Sequence, residues 1–382
     1  MIRLILFVGI VQSILFLGHW FLYKTLMRFF EPGNPSGVLI LKIAFIFLSI
    51  SFVGASLLAY SQSNLFARAL YTGAASWIGI LYLLILAAAL SWLFHGIAAL
   101  FHLPLDRKLC MEVLIGIALA ASLYGFINAG SIRITRISVP LPGLPDAWKG
   151  KTGVWVSDLH LGPVRNHGFS RKVAAMVRDL RPDILFIGGD LYDGMAVDLD
   201  EVIEPFSRIS TSYGTYFITG NHEEFSDNTP YLEAVKRAGI RVLYNDKVDL
   251  DGLRIIGVDY RDSRNEERFK KILEGVGADR RKPSLLLMHG PFHVQIAKEK
   301  GISVQLSGHT HQGQVLLFRL ITSWVYKGYD YGLKEEDGFH IYTSSGAGTW
   351  GPPMRIDTRP EIVVIEFRPL TPTLSPSGER GG

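Results

Sequence analysis

Four long apolar runs fill the first third of the chain, roughly Leu4–Tyr23, Val38–Tyr60, Leu70–Leu100 and Val113–Ile127. A helix needs ~20 apolar residues to cross ~30 Å of hydrocarbon. The first three runs reach that length; the fourth does so when its start is taken near Leu109, with Glu112 close to the interface. Four such runs in succession, nearly free of acidic residues, exclude ordinary buried core helices and predict a multi-pass membrane region. Trp20, Tyr23, Tyr60, Tyr71 and Trp92 fall near the expected ends, where amphipathic rings favour the interface. Arg3 ahead of the first run also fits a secretory signal, but the run is long and no small-x-small cleavage site follows it, so a retained helix is expected.

Four spans put the N-terminus and the remainder of the chain on one side. Arg3, Arg68, Arg133 and Arg136 share that side, with Lys149 and Lys151 further off, against Lys24, Arg28, Arg107 and Lys108 opposite and Lys42 able to snorkel there. The balance leans only slightly to a cytoplasmic C-terminal domain. No intramembrane charge pair marks a transport path, so an anchor is expected rather than a transporter.

Residues 1–131 thus form the predicted transmembrane region. Residues 132–151, with Pro140, Pro142 and Pro145, read as an extended connector. Residues 152–370 alternate short apolar runs with helical-period stretches such as Phe169–Leu180 and Tyr231–Ala238. Residues 371–382 are Pro, Ser and Gly without apolar period, and disorder is expected there. The net charge of +4 is spread thinly, without the basic block of a nucleic-acid binder, and the lone Cys110 cannot form an internal disulfide.

The chemistry lies where the apolar runs end. Val154-Trp155-Val156 leads into Asp158-Leu159-His160. Ile184–Ile187 leads into Gly189-Asp190, and Thr215–Ile218 into Gly220-Asn221-His222. Leu285–Met288 leads into His289, and Ile302–Leu306 into Gly308-His309-Thr310-His311-Gln312-Gly313. Each ending alone is a weak signal. Five together, most beside glycines that let backbone approach a bound group, predict a dinuclear metal site at the carboxyl ends of adjacent strands. His167 and Asn166 read as helix-start residues, Asp193 as a turn cap, and Glu223 and Glu224 either as supports for His222 or as surface residues.

In order and spacing these five blocks resemble those of the calcineurin-like metallophosphoesterases, and within them the bacterial YkuE/YaeI type. The Gly-His-Thr-His-x-Gly-Gln run and the stretch Gly346-Ala347-Gly348-Thr349 through Pro353-Met354-Arg355 to Arg359-Pro360-Glu361 support the subgroup. The resemblance spans roughly residues 150–368 and leaves the four helices unexplained. It implies a β-sandwich flanked by helices and two divalent metals, Mn, Fe, Zn, Ni or Co. One is expected on Asp158, His160, Asp190 and His311, the other on Asp190, Asn221, His289 and His309. His222 is expected to meet the phosphate and assist the leaving oxygen. Phe292 departs from the pattern, where relatives often carry Asp.

Two dications ~3.5–4 Å apart supply a nucleophile, neutralise the phosphate and stabilise the leaving oxygen. Asp158, Asp190 and one hydroxide offset three of their four positive charges, and the surplus attracts a phosphate ester; a carboxylate in place of Asn221 cancels it. The expected protein is a membrane-anchored metal-dependent phosphoesterase acting on a mono- or diester, with lipid-linked phosphates favoured by the tether. A nucleotide phosphodiesterase parked at the membrane, or a phosphate sensor without turnover, are the competing readings.

Overall fold

The computed structural model describes residues 2–369, with the side chains of residues 2–5 left aside; the tail expected to be disordered lies outside the described residues. The four apolar runs form α1 (Ile2–Phe30), α2 (Pro35–Ser61), α3 (Leu65–Leu100) and α4 (Arg107–Asn128). All four are long and apolar enough to cross a membrane. The last three outrun the apolar tally because a polar cap, not the first charged residue, sets their start. Asn34 accepts from Ser36 N, Asn64 from Ala67 N, and Asp106 from Lys108 N and Leu109 N. Leu22 and Phe29 of α1 pack with Leu81 and Ala88 of α3 and Met111 of α4, so the first helix is an integral part of the bundle.

Among the described residues twelve strands make two six-stranded sheets. The first contains β1 (Arg133–Leu141), β2 (Thr152–Val156), β3 (Ile184–Ile187), β4 (Thr215–Phe217) and β5 (Arg241–Val242). The second contains β6 (Asp246–Leu250), β7 (Leu253–Val258), β8 (Ser284–Met288), β9 (Val304–Ser307), β10 (Gly332–Glu336) and β11 (Phe339–Thr343). The last strand, β12 (Glu361–Pro369), belongs to the first sheet. Their orders are β1-β12-β2-β3-β4-β5 and β10-β11-β9-β8-β7-β6. Strands β2 to β5 run parallel, as do β7, β8, β9 and β11.

The sheets face each other across one core, in which Trp155, Phe186 and Ile365 meet Ile255, Leu287 and Leu306. The helix His167–Asp179 covers the outer face of the first sheet through Val173 and Val177. Phe269 and Leu273 of the helix Glu266–Gly275 do the same for the second. Near-continuous apolar strands such as Ile184–Ile187 follow from burial on both faces. The expected sandwich flanked by helices is thus the observed fold.

The stretch expected as a connector contains β1, paired in parallel with β12 from Arg133↔Glu361 to Leu141↔Pro369. The chain there is extended, as its prolines suggested, but it is the edge of a sheet and not a free linker. Pro140 is tolerated because an edge strand leaves one row of N–H groups unpaired.

Candidate metal centre

Three strands of one sheet and two of the other end in one place. β2, β3 and β4 deliver Asp158, His160, Asp190, Asn221 and His222; β8 and β9 deliver His289, His309 and His311. Ligand atoms of Asp158, His160 and His311 lie within 4.8 Å of one another, as do those of Asp190, His289 and His309. Asn221 and His222 line the same cavity as His160, Asp190, His309 and His311. All eight residues expected at the site are therefore brought together.

The close approaches are specific. His160 Nε2 and His311 Nε2 are 3.0 Å apart, and Asp158 Oδ1 lies 3.6 Å from His311 Nε2. His289 Nε2 is 3.2 Å from Asp190 Oδ2, which is 3.8 Å from His160 Nε2. His289 Nδ1 donates to Gly188 O at 2.7 Å, which fixes that proton and aims Nε2 at the cluster. Asp158 Oδ2, Asn221 Oδ1 and His289 Nε2 are buried with no hydrogen-bond partner. Such atoms are costly unless something else satisfies them. Oxygen and imidazole donors without thiolate suit borderline divalent cations, so the residues fit a metal centre.

The backbone is bent to make this possible. Asp158, His160, Asp190, His309 and His311 all take φ between 48° and 72°. Non-glycine residues in that region cost roughly 1–3 kcal/mol each and persist only where the surroundings fix them. Here they are fixed. Asp158 N and His160 N donate to Gly189 O and Asp190 O, Gly308 N to His289 O, and Gly348 N to Asp158 O. His309 N donates to Asp158 Oδ1 and His222 N to Asp190 Oδ1, both at 2.9 Å. Two glycines are needed for space: a Cβ on Gly220 falls 2.1 Å from Asp190 Oδ1, and one on Gly308 2.4 Å from Asp158 Oδ2.

Burial governs the electrostatics. It pushes the His309 imidazole down to about 3 and His311 well below its ordinary range, so both are neutral donors. Burial opposes a charge on His289 too, yet the Asp190 and Asp158 carboxylates raise it to about 10. Burial raises Asp158. For Asp190 burial acts upward, but His289 and His222 hold the carboxyl well below its usual range. An ionised Asp190 beside imidazoles kept neutral at His309 and His311 suits a cation site.

Of three supporting residues, the sequence left Glu223 between support and surface, made Asp193 a turn cap, and gave Arg355 no role beyond the resemblance. Glu223, fully buried, accepts from Asp190 N, Tyr192 N and Gly220 N at 3.0, 3.0 and 2.7 Å. Burial and the nearby Asp190 push it up to about 7. Asp193, expected as a turn cap, places Oδ1 3.3 Å from His160 Nδ1, and its carbonyl accepts from His222 Nδ1 at 2.8 Å. Arg355 is fully buried, and its guanidinium donates to Ser345 O, Gly348 O and His311 O, with Nη2 3.2 Å from His311 Nδ1. The sequence signal of Glu223 and Asp193, a charged residue beside a ligand-bearing loop, is shared with many surface residues, and Arg355 had only its place in the closing stretch of the resemblance. Glu224 meets Thr219 Oγ1 and Arg261 N, one step out. His167 opens its helix behind the Asn166 cap, as expected. Phe292, the departure from the expected pattern, packs against His309, Tyr260 and Tyr326 as an aromatic wall.

Above the cluster opens a cavity of about 500 Å³. Its lining combines His222, His309 and His311 with Ile78 and Tyr82 of α3 and with Phe318 and Thr322. Of the aromatic residues Trp324, Tyr326, Tyr329, Tyr331 and Trp350 read as pocket or loop core, Tyr326 and Trp350 line this cavity, while Trp324 is 82% exposed.

Residues 154–313 match the family model of the calcineurin-like phosphoesterases. A transmembrane protein with metallophosphoesterase domain from Danio rerio is 31% identical over 69% of this chain and 63% of its own length. The chain thus spans less than two thirds of the first curated relatives it matches. The Bacillus subtilis metallophosphoesterase YkuE is 25% identical over 64% of this chain and 88% of its own. A metallophosphoesterase from Aquifex aeolicus is 30% identical over 66% of this chain and is itself covered to 98%. With a buried cluster of carboxylates and imidazoles at five strand ends and a relative matched along almost its whole length, the chain belongs to the calcineurin-like phosphoesterase family.

Proposed function

We propose that the protein is a membrane-held dinuclear metal phosphoesterase that hydrolyses a phosphate mono- or diester, with a lipid-linked phosphate as its substrate. The observation that carries the hydrolase reading is the set of buried, partnerless donor atoms on Asp158, Asn221 and His289. Asp158, His160, Asp190 and His311 would hold one metal, and Asp190, Asn221, His289 and His309 the other. Bound there, two divalent ions activate water and neutralise the phosphate.

The chain's own residues do the rest. His222 stands outside both ligand sets, with its ring 4.6 Å from that of His160 and its Nδ1 donating to Asp193 O. That bond keeps one proton on Nδ1 and turns Nε2 toward the cavity, where the ring, once protonated at Nε2 as well, can contact a phosphate oxygen and pass that second proton to the leaving oxygen. Asn221, being neutral, leaves the centre its positive surplus. The buried floor excludes water from the groups behind the phosphate.

The lipid-linked substrate is supported by the cavity wall that α3 contributes. The charge balance of the loops favours a cytoplasmic catalytic domain. Metal analysis of the purified full chain, with a hydrolysis screen of bis-p-nitrophenyl phosphate, nucleotides and phospholipids, tests the proposal. Two metals per chain and turnover, both lost in Asp190→Ala, are expected. Full metal content and turnover in that variant would overturn the assignment; metal with no turnover on any probe would leave a phosphate sensor.

A further inference from the structure

The cavity beside the metal-binding cluster is walled by a transmembrane helix, and the depth of that wall can be worked out. α3 has 36 residues, about 54 Å at 1.5 Å per residue, against ~30 Å of hydrocarbon that ~20 residues cross. Counted back from Leu100, the hydrocarbon ends near Leu81. Contacts agree with that count: Tyr71, Ala74 and Ala75, further toward the N-terminus of α3, pack with Val164 and Met195 of the catalytic domain. Ile78 and Tyr82, which line the cavity, therefore stand where hydrocarbon gives way to headgroups.

A second element sits at the same level. Tyr82 Oη donates to Leu316 O at 2.5 Å, and its ring lies 5.5 Å from that of Phe318, the first residue of the helix Phe318–Val325. None of that helix's residues is buried. Leu320 is 69% and Trp324 82% exposed, beside exposed Leu317 and Ile321. Contiguous exposed apolar surface of this kind marks an interaction face. An amphipathic helix with Trp and Leu outward, joined to a transmembrane helix at headgroup depth, fits a bilayer surface.

We infer that Phe318–Val325 lies in the bilayer surface and that, with Ile78–Tyr82, it frames a lateral opening from the leaflet to the metal centre. The substrate is then an amphiphile: its hydrocarbon chain rests between α3 and the Phe318–Val325 helix while its phosphate meets His222, His309 and His311. Thr322 and Phe318 form the cavity side of this frame; Leu320, Ile321 and Trp324 face lipid. The inference rests on the phosphoesterase reading above and names the chemistry its substrate must have.

The test uses the full chain in nanodiscs. Ethyl, butyl and octyl phosphate, identical except in chain length, compete with bis-p-nitrophenyl phosphate hydrolysis. A chain that enters an apolar slot gains up to roughly fourfold per buried methylene, so the additional methylenes of octyl phosphate allow up to about 4,000-fold tighter binding than ethyl phosphate, and burying about half of them gives about 100-fold. Partitioning into the bilayer also favours octyl phosphate, and Thr322→Trp separates the two causes. Filling the slot should collapse the octyl-to-ethyl ratio at least about tenfold, whereas partitioning leaves it intact. An unchanged ratio in Thr322→Trp overturns the substrate class while bis-p-nitrophenyl phosphate turnover keeps the hydrolase reading standing. Absence of turnover of every probe of the hydrolysis screen in the metal-loaded wild type overturns the hydrolase reading itself. Brominated acyl chains supply a readout independent of activity: they should quench the wild type more than Trp324→Phe. Equal quenching of the two proteins overturns the placement of the helix.

Discussion

Glu223→Gln probes how the metal loops are held, because Glu223 touches neither a phosphate position nor a proposed ligand side chain. Its Oε2 accepts from Asp190 N and Gly220 N, and its Oε1 from Tyr192 N. One buried carboxylate thereby joins the loops after β3 and β4. Glutamine has the same shape but a single acceptor. If its oxygen takes the Oε2 place, its NH₂ faces Tyr192 N–H and one buried donor is left unsatisfied, at about 1–3 kcal/mol. For a domain of this size each kcal/mol lowers Tm by roughly 2–4 °C, so a fall of roughly 2–12 °C is expected. Alanine orphans all three donors, at about 3–9 kcal/mol by the same reasoning, comparable to the whole stability of a typical domain. The assay is thermal unfolding of the detergent-solubilised full chain, with metal content measured in parallel. Asp190 keeps its backbone partner in the glutamine variant, which should therefore still bind metal; the alanine variant should not. A glutamine variant within 1 °C of wild type, or an alanine variant with full metal content, would refute the idea that this carboxylate fixes the loops.

His222→Ala should keep both metals and lose roughly 10²–10⁴ in kcat, the usual reach of a positioned proton donor; a large loss of metal on dialysis would mean that it is a ligand. His309→Ala and His311→Ala should each depress occupancy of a different site, read by metal titration, and loss of the same site by both would break the proposed partition. Asn221→Asp should raise KM for anionic esters by cancelling the surplus charge, with metal content retained, and an unchanged KM would remove charge from the explanation. Protease added outside sealed inside-out vesicles should cut the catalytic domain if it is cytoplasmic, and protection there would reverse the orientation.

The metal-binding residues were legible because each follows an apolar run directly, so a one-dimensional pattern carries the three-dimensional fact. Their partition between β2, β3 and β4 in one sheet and β8 and β9 in the other was not, since pairing between sheets leaves no local trace. Glu223 sits next to His222, yet two of its backbone partners lie about thirty residues earlier, and adjacency alone read equally well as a surface position. The Pro140, Pro142 and Pro145 run announced extended backbone but not that Arg133–Leu141 would pair with the last strand. The apolar stretch from Val315 to Val325 contains only the exposed side of an interface. What it faces depends on α3, more than 230 residues away along the chain at Tyr82–Leu316.

That contact changes what the helices do. An anchor on a flexible linker would leave the catalytic domain indifferent to the bundle, but here the two share packing and hydrogen bonds. Asn128 Nδ2 at the end of α4 donates to Arg355 O and Thr358 O, and Arg355 N donates to Gly125 O. A Cβ on Gly79 would come within 2.9 Å of Met354 Sδ, and one on Gly125 within 3.0 Å of Ile356 Cγ1, so α3 and α4 are notched for this loop. The same Arg355 then reaches His311 with its guanidinium. Burial depresses that group to about 9, a cost tolerated because five carbonyl contacts and one imidazole contact surround it. A continuous path of peptide and guanidinium hydrogen bonds thus runs from the end of α4 to an imidazole of the metal centre. The bundle sets the position of the loop that carries Arg355, and through it the orientation of His311; the membrane region is part of the scaffold of the site.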